Sequence, residues 1–505
     1  MHSINVLFVN PFVFKKGQMS EEILIGPLYI ENFLNSRIKT IKSDLLDFTC
    51  EEKLNNFNPY QIQSEDKFFD QMDQLLSSID FELNNNSIIG LSCPTSKHYI
   101  PSILTAKYFH INYPQTPIIV GGAHVSSQPN DFVFSESLID YIIIGEGEIS
   151  FLEILKNGAL KRLTPVIYPN NPIEQLGYLP IINFDMFKKY NKLYKTISIS
   201  LSRGCPFNCS FCMEKNLIEA GKIHKTWRSY KPSRAIAEFK AMLEFGAYNN
   251  VKSYGLYDPL FGFRRKWLLK FLEMYPKNPD YHVWTECRLD ILNKEVLSLL
   301  NERNFSLMYG LETYSKEMLL IMNKTKNPAQ YLKKFNEVIE TSEKLEMFCV
   351  LNLIINHPGE TKKTFSETLK FIRLMSEKIN FVNLNYNLYR NFPGTPIYSN
   401  LDFYREQYGS EFYILEWWKN KEYLEFGPYA IRPSKDLSFR VLLDLYFPAY
   451  IEFQERIIEN MKLYKKQIGD YFNKTLFEKL RLKSLNTQYN EIIKFLDDNN
   501  IEVDV

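Results

Sequence analysis

The sequence predicts an α/β protein in three parts. A doubly wound parallel sheet is expected over residues 1–160 and a partial (β/α)6 TIM-like barrel over 195–405, with a linker over 161–194 between them and a helical C-terminal segment over 406–505. Two runs of short apolar strands alternating with helix-length stretches predict the two sheets, because parallel strands covered on both faces read as continuous apolar runs. A stretch holding Pro165, Pro169, Pro172 and Pro180 separates the runs. From about residue 405 the alternation gives way to a helical, aromatic pattern that includes Trp417 and Trp418.

The first run opens with an apolar strand at 4–9 and a helix at 23–35, whose Pro27 lies near its start, where proline is tolerated. Strands follow at 87–92, 117–120 and 139–144, with a helix at 100–111. Residues 50–86, rich in Asn, Gln and charge, give no clear pattern. The region reads as a Rossmann- or flavodoxin-like domain. The second run predicts strands at 196–201, 252–257, 281–286, 305–311, 347–355 and 380–386. Helices are expected at 232–245, 264–274, 293–302, 328–344 and 361–377. Six βα units form most of a TIM-like barrel. There are no internal repeats and no low-complexity segments.

A length of 505 residues implies two or three domains. Lys+Arg 60 against Asp+Glu 59 leaves a net charge of +1, so no global field attracts nucleic acid or anionic lipid. No apolar run reaches the roughly 18 residues a membrane helix needs. The first ten residues lack a basic leader and read as a core strand rather than a signal peptide. Seven cysteines, three of them clustered, make a poor disulfide framework and fit a reducing, cytoplasmic setting. Cys50, Cys93, Cys287 and Cys349 are scattered and read as packing residues.

The cluster is Cys205, Cys209 and Cys212, spaced C-x3-C-x2-C on a loop directly after the strand at 196–201. One reading is a structural zinc site, which wants a fourth ligand; the nearest downstream histidine is His224, at no standard spacing. The other is a 4Fe–4S cluster. Such clusters ordinarily take four cysteines, so three leave one iron open to substrate or cofactor. The position favours the cluster, because barrel active sites are built at the C-terminal ends of the strands.

The motif resembles the signature of the radical S-adenosylmethionine (SAM) superfamily, and the aromatic Phe211 before the third cysteine is similar to its usual form. The resemblance implies that Cys205, Cys209 and Cys212 ligate the cluster and that SAM chelates the open iron. It also implies reductive cleavage to a 5′-deoxyadenosyl radical, with the electron coming from an external reductant such as flavodoxin or ferredoxin. Further segments match: Asp258 after the second barrel strand, Arg288 after the third, Gly310-Leu-Glu312 after the fourth and His357-Pro-Gly-Glu-Thr361 after the fifth. By resemblance Phe211, Asp258, Arg288 and Glu312 would contact SAM. The competing reading is that Arg288 and Glu312 form a structural ion pair in the barrel mouth. The family commonly has glycine where this chain has Asn356.

Doubly wound domains bind ligands beyond the carboxyl ends of their strands. Those ends here carry Ser92 and Thr95, then Gly121-Gly122-Ala-His124, then Gly145-Glu146-Gly147. This pair of glycine loops, upstream of this cysteine motif, resembles the cobalamin-binding domain fused to many radical SAM enzymes. The two resemblances cover about residues 1–405. The run after the first strand, Asn10 to Gly17, has no histidine, so base-off cobalamin without a histidine ligand is expected. His98 and His124 are the alternative ligands, though loop hydrogen bonding is their expected use.

The paired resemblances imply a C-methyltransferase acting on an unactivated carbon of a small-molecule or peptide substrate. The alternative within the same family is a cyclase or oxidative rearrangement enzyme without net methyl transfer. A cobalamin-binding sensor with an inert barrel is a third reading, opposed by the complete cysteine triad. Trp417, Trp418, Tyr423 and Phe426 either line a pocket or form the core of a helical cap.

Overall fold

A computed structural model describes residues 3–14, 23–54, 57, 62, 64–78, 83–84, 86–135, 137–214, 217, 226–248, 250–277, 279–378, 380–460 and 474–502. His224 lies outside the described residues. The chain divides into two compact units: Met1–Pro206, Met213–Lys252 and Trp418–Glu425 form the first, while Phe207–Cys212, Ser253–Trp417 and Phe426–Val505 form the second.

The first unit is built on six parallel strands: β1 (Ile4–Asn10), β2 (Ile41–Asp47), β3 (Ser87–Ser92), β4 (Ile118–Gly121), β5 (Tyr141–Ile143) and β6 (Val166–Tyr168), in the order β2-β1-β3-β4-β5-β6. The order reverses between β1 and β3, which is the switch point of the flavodoxin-like arrangement. β1 and β3 are central and nearly all apolar. β2 (Ile-Lys-Ser-Asp-Leu-Leu-Asp) is an edge strand with only its last three residues buried, and the sequence reading assigned it no element. β6, on the other edge, is mostly exposed and lies within 161–194. One side of the sheet is filled by Phe12, Phe48, Phe57 and Phe68, whose rings pack 4.7–6.4 Å apart. Each such ring contributes about 2–3 kcal/mol by leaving water. The unit also holds a short ladder between β8 (Ser202–Arg203) and β9 (Arg228–Ser229), following β7 (Thr196–Ile199).

The second sheet is built of parallel strands. Five lie in the second unit: β10 (Ser253–Leu256), β11 (His282–Cys287), β12 (Phe305–Glu312), β13 (Cys349–Ile355) and β14 (Val382–Leu388), paired parallel in sequence order. Helices Arg265–Met274, Lys294–Asn301, Pro328–Lys344 and Lys362–Lys378 alternate with them, each within two residues of its expected bounds. Local chemistry sets the starts. Asn293 and Asn327 accept hydrogen bonds from Val296 N and Gln330 N, and Pro328 occupies the first turn. Beyond the strands, helices Phe439–Asn460 and Lys474–Asp498 make the C-terminal segment helical. Among the described residues, no helix is long and apolar enough to cross a membrane.

Candidate active site at the strand ends

In the second unit Cys209 is buried and Cys212 partly exposed; Cys205 is a partly exposed residue of the first unit, and none of the three is in a disulfide. The loop is tied down through its backbone. Ser210 N donates to Met322 O (2.9 Å), Ile397 N donates to Ser210 O (3.1 Å), and Asn323 Nδ2 donates to Asn208 O (2.7 Å). His357 Nδ1 lies 2.7 Å from Pro358 O and must carry the proton, so its Nε2 accepts from Ser210 Oγ at 3.1 Å. Burial lowers the His357 pKa to about 4, which keeps this ring neutral. Among the described residues, no three His, Cys, Asp or Glu side chains are gathered as a metal-holding set. The donor chemistry nevertheless fits an iron–sulfur cluster: three thiols outside any disulfide on one loop. In addition, the Arg288 guanidinium lies 3.9 Å from Cys209 Sγ. A fixed cation there complements the negative charge of a thiolate-bound cluster.

Arg288 and Glu312 do not pair with each other. Arg288 grips Asp290 with two bonds of 2.9 Å, donates to Lys324 O (3.0 Å) and stacks over Phe207 at 3.6 Å. Glu312 instead accepts from Lys324 Nζ at 2.8 Å, with both side chains under a tenth exposed. Burial pulls the Lys324 pKa down, but the neighbouring negative groups, Glu312 first among them, together more than offset this and the net shift is upward. Lys324 Nζ also lies 5.9 Å from the centre of the half-buried Phe211 ring. The sequence reading gave Lys324 no role. What brings it to Glu312 is a register shift at the end of β12, where Glu312 adopts φ +70°. Gly310 leaves the room: a Cβ there would collide with Glu312 Oε1 and Lys324 Nζ. Asp258, just past β10, is buried at 2 % exposure.

The departure at Asn356 has a physical account. Its φ is +63°, a left-handed conformation that asparagine tolerates better than most non-glycine residues. Its backbone N–H donates to Glu360 Oε2 at 2.8 Å. Burial raises the Glu360 pKa from the ordinary 4.5 to about 8. A carboxyl raised in the folded state contributes stability that is fully present below 4.5 and is lost as pH rises through 8. The urea midpoint is therefore expected to fall across that window. Glu360→Gln should flatten the fall; an unchanged slope in the variant would assign the window to other groups.

In the first unit the predicted loops form a partly exposed rim at the carboxyl ends of β3, β4 and β5: Ser92, Thr95, Gly121, Gly122, Gly145, Glu146 and Gly147 all retain solvent contact. His124 does not. It is 2 % exposed, its Nδ1 lies 2.9 Å from Ser96 Oγ, and Tyr99, Phe132 and Trp418 surround its ring. Burial lowers its pKa to about 3. His98 Nδ1 is engaged by Thr95 Oγ1 at 2.8 Å, and burial lowers that pKa to about 4. Both are loop and core hydrogen-bonders, as expected. An accessible glycine rim lets the backbone approach a large ligand closely.

The glycines also serve the chain itself. Gly122 has φ +127°, and a Cβ there would stand 2.5 Å from Cys93 O. Gly122→Ala is expected to cost about 1–3 kcal/mol, read as a lowered thermal midpoint. Glu146 is held by Arg203 (2.8 Å) and Arg228, and Arg203 also binds Glu148 at 2.6 Å. This ties the Gly145–Gly147 loop to the β8–β9 ladder. Of the C-terminal aromatics, Trp417 and Trp418 are fully buried, whereas Tyr423 and Phe426 stay partly exposed; Trp418 Nε1 donates to Asp131 Oδ2 at 2.7 Å.

Comparison with known proteins agrees with this class of site. The sequence pattern of the Radical SAM superfamily matches residues 199–372. An uncharacterized methyltransferase of Pyrococcus horikoshii, PH0819, is 24 % identical over 355 residues, covering 66 % of this chain and 72 % of that one. The anaerobic magnesium-protoporphyrin IX monomethyl ester cyclase of Cereibacter sphaeroides is 23 % identical over 321 residues, covering 57 % of this chain and 49 % of its own length. Among solved structures, the cobalamin-dependent SAM radical enzyme OxsB, with aqua-cobalamin bound, superposes with a TM-score of 0.62 at 14 % identity, over 100 % of this chain and 81 % of that chain. That likeness speaks for the fold. The chain carries a radical SAM domain over those residues and is an enzyme.

Proposed function

We propose that the protein is a cobalamin-dependent radical SAM C-methyltransferase acting on an unactivated carbon. The observation that carries the reading is the chain order: a flavodoxin-type sheet with a glycine rim precedes a parallel barrel that opens on a three-thiol loop. The methyltransferase name of the Pyrococcus relative and the cobalamin of the OxsB structure support it. When bound, the cluster with SAM supplies an adenosyl radical and cobalamin supplies a transferable methyl group.

The chain's own part is placement. Cys205, Cys209 and Cys212 hold the cluster, and Arg288 sets a cation beside one ligating sulfur. Phe211, Asp258 and the Glu312–Lys324 pair border the place for SAM. Ser92, Thr95, Gly121, Gly122, Gly145, Glu146 and Gly147 form the rim for cobalamin, with no histidine reaching the metal. The electron would come from a flavodoxin- or ferredoxin-like partner.

The cyclase relative favours a second reading, in which the same cofactors serve cyclisation or oxidation without methyl transfer. Methyl-labelled SAM, supplied anaerobically with substrate and reductant, separates the two. Methylation gives a labelled product heavier by one CH2; an unlabelled product that has lost hydrogens supports the cyclase.

A further inference from the structure

One face of the second sheet is unusually polar. Tyr309 on β12 faces helix Pro328–Lys344, where its hydroxyl lies 3.3 Å from Ser342 Oγ. The residues alternating with Tyr309 point away from that helix. In register, Glu286 is level with Met308, Met308 with Val350, and Val350 with Asn383. The next row is Gly310, Asn352 and Asn385, and beyond it Ile354 stands beside Asn387. The side chains of these rows remain partly or fully exposed, whereas their neighbours Leu307, Tyr309, Leu351, Leu353 and Leu384 are completely buried.

Parallel strands buried on both faces are near-continuously apolar. β14 instead reads Val-Asn-Leu-Asn-Tyr-Asn-Leu. Asn385 Nδ2 donates to Asn352 Oδ1 at 3.1 Å, which uses one donor and one acceptor of the two amides and leaves the others for a ligand. Just beyond the strand, Asn391 is 1 % exposed, yet neither its Oδ1 nor its Nδ2 has a partner among the described residues. A buried amide in that state calls for a bound partner. Glu286 reaches solvent but is ringed by protein, and this desolvation, followed by the charge of Glu312, raises its pKa. That links it electrostatically to the Glu312–Lys324 pair at the strand ends.

We propose that this face recognises a substrate bearing peptide-type amide groups, with a cationic group opposite Glu286. The inference rests on the proposed catalytic role of the barrel and names its substrate class. Carboxamides offer paired donors and acceptors that a peptide group matches and a planar tetrapyrrole does not. A site built to hydrogen-bond rejects ligands lacking those groups by orders of magnitude.

The test is calorimetric titration of the full-length, anaerobically purified protein with a blocked cationic dipeptide, N-acetyl-glycyl-lysine methylamide. Saturable binding is expected. Asn385→Leu, Asn387→Leu and Glu286→Gln should each weaken it at least about tenfold, as should exchanging the probe's lysine for glutamate. Thermal unfolding of each variant checks its fold, and the exposed Asn387 position is the safer of the two asparagines. Absence of saturable binding, binding indifferent to these changes, or tighter binding of magnesium protoporphyrin would overturn the proposal. Formation of 5′-deoxyadenosine by the wild-type protein is scored separately: its absence would defeat the radical reading while leaving the peptide result to be judged alone.

Discussion

Cys209→Ala is expected to abolish formation of 5′-deoxyadenosine and to lower the iron content of anaerobically purified protein. Cys209 is the buried member of the three-thiol loop, and its sulfur lies 3.9 Å from Arg288 Nη1. Removing one of three thiolates leaves two, too few to hold a cluster with a single open iron. The fold should survive. The loop's anchors run through Ser210 N to Met322 O, Ile397 N to Ser210 O and Ser210 Oγ to His357, and none uses the Cys209 side chain. The readouts are 5′-deoxyadenosine by mass spectrometry, iron per chain and the thermal midpoint. Undiminished 5′-deoxyadenosine in a folded variant would remove the loop from the chemistry.

The second large effect is on stability. Lys324→Met should destabilise the second unit by about 3–5 kcal/mol, because it leaves the Glu312 carboxylate buried without its cation. Glu312 is under a tenth exposed and already sits at φ +70°, so it has little freedom to swing towards water. Replacing both partners, as Glu312→Gln with Lys324→Met, should recover most of the loss, since two neutral side chains carry no uncompensated charge. Urea unfolding of the two single variants and the double gives the coupling. Strict additivity would show that the pair is not energetically linked. If the pair also borders SAM, the double variant regains stability and still fails to form 5′-deoxyadenosine. That split separates the structural use of the pair from its catalytic one.

Much of the architecture was legible because the strands are central and apolar. β1, β3, β12 and β13 need no partner information to be recognised, and the helices between the barrel strands carry their own start signals in Asn293, Asn327 and Pro328. The clearest missed strands are edge strands, and the helix Glu65–Ser78 was missed as well. β2 has one buried half and reads as polar; β6 is mostly exposed and sits among prolines. Both are fixed by backbone pairing, which side-chain pattern does not record.

The site was legible in its ligands and not in its partners. Three cysteines at that spacing announce themselves. That Arg288 takes Asp290 while Glu312 takes Lys324 depends on a register shift and a positive φ, and neither can be read from residue type. Asn356 was readable in principle, because asparagine is the residue best suited to replace a left-handed glycine. The reason for Gly122 was not, since the Cys93 carbonyl that excludes a Cβ is distant in sequence.

The central claim is tested most directly by one anaerobic reaction. Full-length protein, reductant, cobalamin, SAM and a substrate of the amide-bearing class are combined, and the nucleoside products are quantified together. The account predicts 5′-deoxyadenosine and S-adenosylhomocysteine in comparable amounts, the first from radical cleavage and the second from methyl donation. 5′-Deoxyadenosine alone would contradict methyl transfer, and neither product would contradict the radical enzyme altogether.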